Sequence, residues 1–213
     1  MSQYTVVHVV RHGEVDNPEK VLYGRLSGYH LSELGQEMAE RAAKVLSNYD
    51  IVHVVSSPLE RAQETAAPIG AAFGLPINLD ERLIESENVF EGSRVGVGDG
   101  VLRSPQSWKH LYDPFTPSWG EPYRVVAARV RAAILDARSA ARGHEAAMVS
   151  HQLPIWISRL SAEGRAFVHD PRKRECSLGS ITSFVFDDNG LVAVEYQEPS
   201  ADLLRTASSV PGA

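Results

Sequence analysis

The sequence predicts an α/β domain: a mostly parallel sheet with helices on both faces, a three-layer α-β-α sandwich, and an antiparallel pair at one edge. Three observations carry this expectation. Short apolar runs (5–10, 51–55, 145–150), the first two rich in β-branched residues, alternate with longer stretches of helical periodicity. Asp188-Asn189-Gly190 lies between two alternating runs, 181–186 and 191–196, as a hairpin turn would. Arg11, His12, Arg61 and His151 each follow a strand or begin a helix, and so fall on one rim of such a sheet. Ligands bind beyond the carboxyl ends of strands in open α/β sheets.

The first strand, residues 5–10, ends in Arg11-His12-Gly13-Glu14. An arginine grips phosphate or carboxylate in bidentate fashion, a neutral histidine can be a nucleophile, and glycine lets backbone approach a ligand. Residues 13–31 have no periodicity and read as a long functional loop. Ser32 then caps a helix to about residue 48, with Leu34, Met38, Val45 and Tyr49 at helical spacing. The second strand, 51–55, ends at Ser56-Ser57. Pro58 at the first helical position, Ser57 as N-cap and Glu60 closing a capping box predict a helix from 58 to about 73, ended by Gly74. Arg61 then sits in the first turns of that helix, where free N–H groups favour an anion.

A short third strand is expected at 76–79. Residues 81–120 are the least regular, and the glycine run Gly96-Val97-Gly98-Asp99-Gly100 reads as flexible loop because no strand and helix flank it as a nucleotide loop requires. A helix is predicted over 121–142, with Val126, Val130, Ile134 and Ala137 on one face. The strand at 145–150 delivers His151, and another helix starts at Leu153. Residues 1–199 form one domain in this reading, and 200–213, rich in Ser and Ala, a frayed tail.

A chain of 213 residues with 43% hydrophobic and 23% charged residues can bury a sizeable core. Its net charge of −6 argues against nucleic-acid or acidic-membrane binding, so any anion site is a local cluster of cations. Cys176 is the single cysteine, which excludes an intrachain disulfide and a Cys-rich zinc site. With no basic, apolar leader and no run of transmembrane length, a cytoplasmic location is expected. His8 and His53 lie inside apolar strands and read as core histidines. The remaining histidines lack metal-ligand spacing, so no metal is expected.

The chain resembles the histidine phosphatase, or phosphoglycerate mutase-like, superfamily. The matching motifs are Arg11-His12-Gly13-Glu14, Leu31-Ser32-x-x-Gly35, Ser57-Pro58-Leu59-x-Arg61-Ala62-x-x-Thr65-Ala66, Leu83-x-Glu85, Phe90-Glu91-Gly92, Gly120-Glu121 and Val149-Ser150-His151. They occur in the family's order over roughly residues 5–197. The resemblance implies a phosphoglycerate mutase-like fold and a phosphomonoester hydrolase acting on a small phosphorylated metabolite without a cofactor. In that reading His12 carries the phosphoryl group, Arg11, Arg61 and His151 hold its oxygens, and Glu85 is the acid and base. Val15 and Pro18 depart from the family's usual residues. Asn17 stands one place early and reaches the phosphate through a shifted loop. The resemblance places substrate choice in residues 86–124, where Arg103, Trp108, Lys109, His110, Tyr112 and Trp119 read equally as pocket, core or surface residues. The competing readings are a phosphoglycerate mutase using the same His12, and a non-catalytic phosphate-binding scaffold.

Overall fold

The computed structural model describes residues 4–96, 99–100 and 119–207. Its main sheet has six strands: β1 (Thr5–Arg11), β2 (Ile51–Ser56), β3 (Ile77–Leu79), β6 (Glu145–Ser150), β7 (Ile181–Asp187) and β8 (Gly190–Gln197). The order is β3-β2-β6-β1-β7-β8. The first four are parallel, and β7 and β8 form the antiparallel edge. Asp187 Oδ1 accepts from the amides of Asn189 and Gly190 at 2.7 and 2.9 Å, closing the expected hairpin.

Four α-helices among the described residues cover the sheet: α1 (Glu33–Leu46), α2 (Glu60–Phe73), α3 (Tyr123–Ala140) and α4 (Gln152–Ala162). Alternation along the strands assigns the layers. Val7, Val9, Val55 and Met148 pack under α3 and α4 with Val126, Val130, Ile155 and Leu160. Val10, Val54, Ala147 and Val149 point the other way, under α1 and α2, with Leu46 and Ile69. Each such Val, Leu, Ile or Met side chain, fully buried, contributes about 1.5–3 kcal/mol.

Ser32 caps α1 as expected, its Oγ accepting from the Gly35 amide at 3.0 Å. The buried face is Met38, Ala39, Ala42, Ala43 and Leu46, while Leu34, Val45 and Tyr49 are only partly covered. The capping box predicted at Ser57 does not form. α2 starts at Glu60 with Leu59 at the cap position and no side-chain cap, and the Ser57 hydroxyl instead meets His151, the residue just past β6. Pro122 delays α3 to Tyr123, and α4 begins one residue early at Gln152. The glycine run differs from a plain loop: Val95–Gly96 (β4) pairs antiparallel with Asp99–Gly100 (β5). Residues 97–98 and 101–118 lie outside the described residues, with Arg103, Trp108, Lys109, His110 and Tyr112 among them. His8 is a satisfied core histidine, bonded to Ser183 Oγ at 2.8 Å and Glu145 at 2.7 Å, whereas His53 is half-buried on β2. Residues 200–207, read from sequence as frayed, bury Ser200 and form a 3₁₀ turn at Leu203–Arg205. No helix among the described residues is long and apolar enough to cross a membrane.

Candidate active site

Three adjacent parallel strands, β2, β6 and β1, end at one edge in register. Arg11 lies opposite Ser150 and Ser56 opposite Val149, so His12, Ser57 and His151 emerge side by side. The His12 amide donates to the Ser150 carbonyl at 3.1 Å and the Ser57 amide to the Val149 carbonyl at 2.9 Å, extending the ladder one residue into the site. Gly13 lets the chain turn there. A Cβ on it would lie 2.3 Å from the Gly35 carbonyl oxygen, and one on Gly35 would lie 2.0 Å from that of Glu14. These two motifs are thus one backbone-to-backbone contact.

His12 and His151 are both fully buried, with ring centroids 5.1 Å apart. His12 Nδ1 lies 2.8 Å from the Gly13 carbonyl, which can only accept, so the proton sits on Nδ1 and Nε2 carries the lone pair. Burial, and then the charges of Arg61 and Arg11, hold His12 well below the usual histidine range. The imidazole is therefore neutral, and Nε2 has no hydrogen-bond partner. His151 is also held low by burial and by Arg61. Ser57 Oγ, which accepts from the Leu59 amide at 3.4 Å, lies 2.7 Å from His151 Nε2. His151 Nδ1 has no hydrogen-bond partner, and with the hydroxyl donating to Nε2 it carries the ring proton and is a donor.

Arg61 is fully buried in the first turn of α2. Nη2 donates to the Gly24 carbonyl at 2.6 Å, while Nε and Nη1 have no partner. Its guanidinium lies over the Tyr23 ring, 4.7 Å from the centroid. Thr65 Oγ1 donates to the Arg61 carbonyl at 2.7 Å and accepts from the Gly13 amide at 3.1 Å, tying α2 to the β1 loop. Arg11 is anchored by Nη1 to the Cys176 carbonyl at 2.8 Å. Four buried polar atoms from His12, His151 and Arg61 are thus unsatisfied. A buried donor without an acceptor is costly, and an anion bound here removes that cost.

The centre opens on a cleft of about 580 Å³ lined by Arg11, Asn17, Tyr23 and Glu85. Glu85 is buried at its wall, and burial raises its carboxyl above the usual range despite the Ser86 amide at 2.7 Å and the neighbouring arginines. A carboxyl raised in this way is better suited to hold and give up a proton than an exposed one. Asn17 also lines the cleft, but its amide is engaged with Val21: Nδ2 donates to the carbonyl at 2.8 Å and Oδ1 accepts from the amide at 3.0 Å. It closes a turn of the long loop. Trp119 is on the wall as well.

Of the residues singled out from sequence, Arg11 and Glu85 line the cleft, while His12, Arg61 and His151 lie buried within mutual electrostatic range behind it. Sequence reading missed the hydrogen bond from Ser57 to His151, the Tyr23 ring under Arg61, and two arginines that hold the acid. Arg25 Nε donates to the Glu85 carbonyl at 2.6 Å, and its other nitrogens reach Glu87 at 2.8 Å and Glu121 at 3.0 Å. Arg129 on α3 grips both Glu121 oxygens and donates to the carbonyls of Arg82 and Ile84. Ser57 was visible within its motif; Tyr23, Arg25 and Arg129 carried no local signal. Among the described residues no group of three or more His, Cys, Asp or Glu side chains is arranged to hold a metal ion.

Residues 7–199 match the family model described as histidine phosphatase superfamily (branch 1). Over 201 residues the chain is 54% identical to the uncharacterized protein Rv0525 of Mycobacterium tuberculosis, covering 94% of this chain and 100% of that one. It is 31% identical over 184 residues to the probable phosphoglycerate mutase GpmB of Enterobacter sp., covering 82% and 83% of the two chains. A solved mycobacterial glucosyl-3-phosphoglycerate phosphatase superposes with a TM-score of 0.71 at 23% identity, covering 92% of this chain and 98% of that one, a likeness of fold.

Proposed function

Because the chain belongs to the histidine phosphatase superfamily, whose members include phosphatases and mutases, we propose that it hydrolyses a small phosphomonoester through a phosphohistidine, without metal. The observation that carries this reading is His12: a buried neutral imidazole with its proton tied to a carbonyl and Nε2 unpartnered among cationic donors. In the first step Nε2 bonds to phosphorus as the ester P–O bond breaks, and Glu85 gives its proton to the departing alkoxide. In the second, water attacks phosphorus, Glu85 takes the proton and the P–N bond breaks, releasing inorganic phosphate. Arg11, Arg61 and His151 hold the equatorial oxygens, where charge concentrates in the transition state. Asn17 supports the loop that walls this space. The ligand is a small molecule, with neither nucleic acid nor membrane as a partner.

Rapid quench with a labelled phosphomonoester is expected to trap an acid-labile, base-stable phosphoryl group, and release of phosphate is expected to resist chelators. His12→Ala should lose the trapped group, with kcat falling on the order of 10⁴–10⁶-fold. Turnover surviving that change overturns the nucleophile assignment. The relative named a probable phosphoglycerate mutase supports a second reading, transfer back to a bound acceptor. Primer-dependent interconversion of 3- and 2-phosphoglycerate with little phosphate release would select it.

A further inference from the structure

Beyond the phosphate centre the cleft holds another guanidinium. Arg174 follows a 3₁₀ turn at Pro171–Lys173 and lines the wall. Its Nε donates to His169 Nε2 at 2.9 Å and its Nη1 to Gln152 Oε1 at 3.0 Å. Both partners are neutral. His169 Nδ1 lies 2.6 Å from the Phe167 carbonyl, which fixes the proton on Nδ1 and makes Nε2 an acceptor. Arg174 has no carboxylate partner among the described residues.

The contrast with its neighbour is direct. Arg172 also lines the cleft, but Asp170 takes its Nε and Nη2 at 3.0 and 2.9 Å, and its side chain is 88% exposed. Arg174 is half-buried and pre-oriented instead. The His169 ring that seats it is wedged against Trp156 and Tyr123, with centroids 5.8 and 5.9 Å away. Nη2 makes no hydrogen bond to a described residue. Tyr123 lines the same wall, and its hydroxyl likewise has no partner among the described residues. A link to the phosphate centre exists. Gln152, which seats Arg174, approaches the Cys176 carbonyl at 3.4 Å, and that carbonyl also accepts from Arg11.

We infer that Arg174, with the Tyr123 hydroxyl beside it, is a second anion subsite, and that the substrate is a phosphomonoester bearing a carboxylate away from the transferred phosphoryl group. The inference rests on the phosphatase reading of the His12 centre. A planar fork matches two carboxylate oxygens. One cationic charge suits a carboxylate, whereas a second phosphoryl dianion would be left half-matched.

The test compares kcat/KM for matched esters with and without the carboxylate: 3-phosphoglycerate against glycerol 3-phosphate, and phosphoglycolate against ethyl phosphate. The wild-type protein should favour the carboxylated member of each pair by at least about 10-fold, the scale of a hydrogen bond to a charged group. Arg174→Gln should erase that preference, chiefly through KM, and Arg174→Lys should restore part of it. Equal losses on both members of a pair, or no preference in the wild type, overturn the subsite. A preference for the corresponding bisphosphate over the carboxylate overturns its chemical class. Calorimetric binding of the same four esters separates the two readings. A protein that turns over none of them yet binds the carboxylated members about 10-fold more tightly keeps the subsite and sinks the phosphatase. Equal binding without turnover sinks both.

Discussion

Arg61 lies fully buried with one carbonyl and one aromatic ring for company, whereas Arg129, across the cleft on α3, is saturated by both oxygens of Glu121 and two further carbonyls. The two regions treat charge in opposite ways. At the sheet edge, Arg61 and the His12 and His151 imidazoles leave buried polar atoms without a hydrogen-bond partner. Along the Glu85 wall, Arg25, Glu87, Glu121 and Arg129 satisfy one another and pin the backbone on either side of the acid. A buried charge answered by the protein fixes structure. One left unanswered is kept for a ligand, and the fold tolerates its cost because the surrounding strands and helices fix it in place.

Substitutions sharpen that contrast. Glu85→Gln should give the largest effect of those beyond His12, slowing alkyl phosphates about 10²–10⁴-fold while sparing nitrophenyl phosphate, whose leaving group needs no proton. Equal losses on both esters would make Glu85 a structural residue. The same variant has a signature in stability. Burial raises Glu85 above its ordinary value of 4.5, so the folded protein holds a proton that the unfolded chain releases. That contribution is present below pH 4.5 and is lost as pH rises through the folded pKa. Glu85→Gln should therefore raise the unfolding midpoint at pH 7, with the gain disappearing below about pH 4.5.

Arg61→Met should lower kcat by about 10²–10³-fold, the scale of one preorganised donor, without lowering the thermal midpoint, because an unpaired buried charge is removed. A large drop in midpoint would mean that Arg61 is mainly structural. Glu121→Gln should do the reverse. Breaking a mostly buried pair costs about 2 kcal/mol, or roughly 4–8 °C for a domain this size, with activity falling less than in Arg61→Met. If the midpoint does not move, the wall is not held as described. Ser57→Ala should be the mildest, slowing turnover about 5–30-fold, as loss of one buried hydrogen bond of about 1–2 kcal/mol frees the His151 ring. The pH profile should shift with it, since Nε2 then loses its donor.

The strands and the faces of the helices were legible because their signals are local. The β-branched runs of β1 and β2, the short apolar run of β6, the Val126-Val130-Ile134-Ala137 stripe and the Ser32 cap each lie within one element, and the structure reproduces them. His12 and His151 were singled out the same way, from their positions just past strands, and Arg61 from its place in the first turn of a helix. Only the tertiary structure decided what holds them. Ser57 has the local spacing of an N-cap, yet β2 pairs with β6 and sets its hydroxyl against His151, 94 residues later. Arg25 meets Glu85, Glu87 and Glu121 at separations of 60, 62 and 96 residues, and no periodicity announces such a meeting. Periodicity records which face of one element is buried. Which charge is neutralised and which is left for a ligand depends on what the neighbouring elements bring, and only packing determines that.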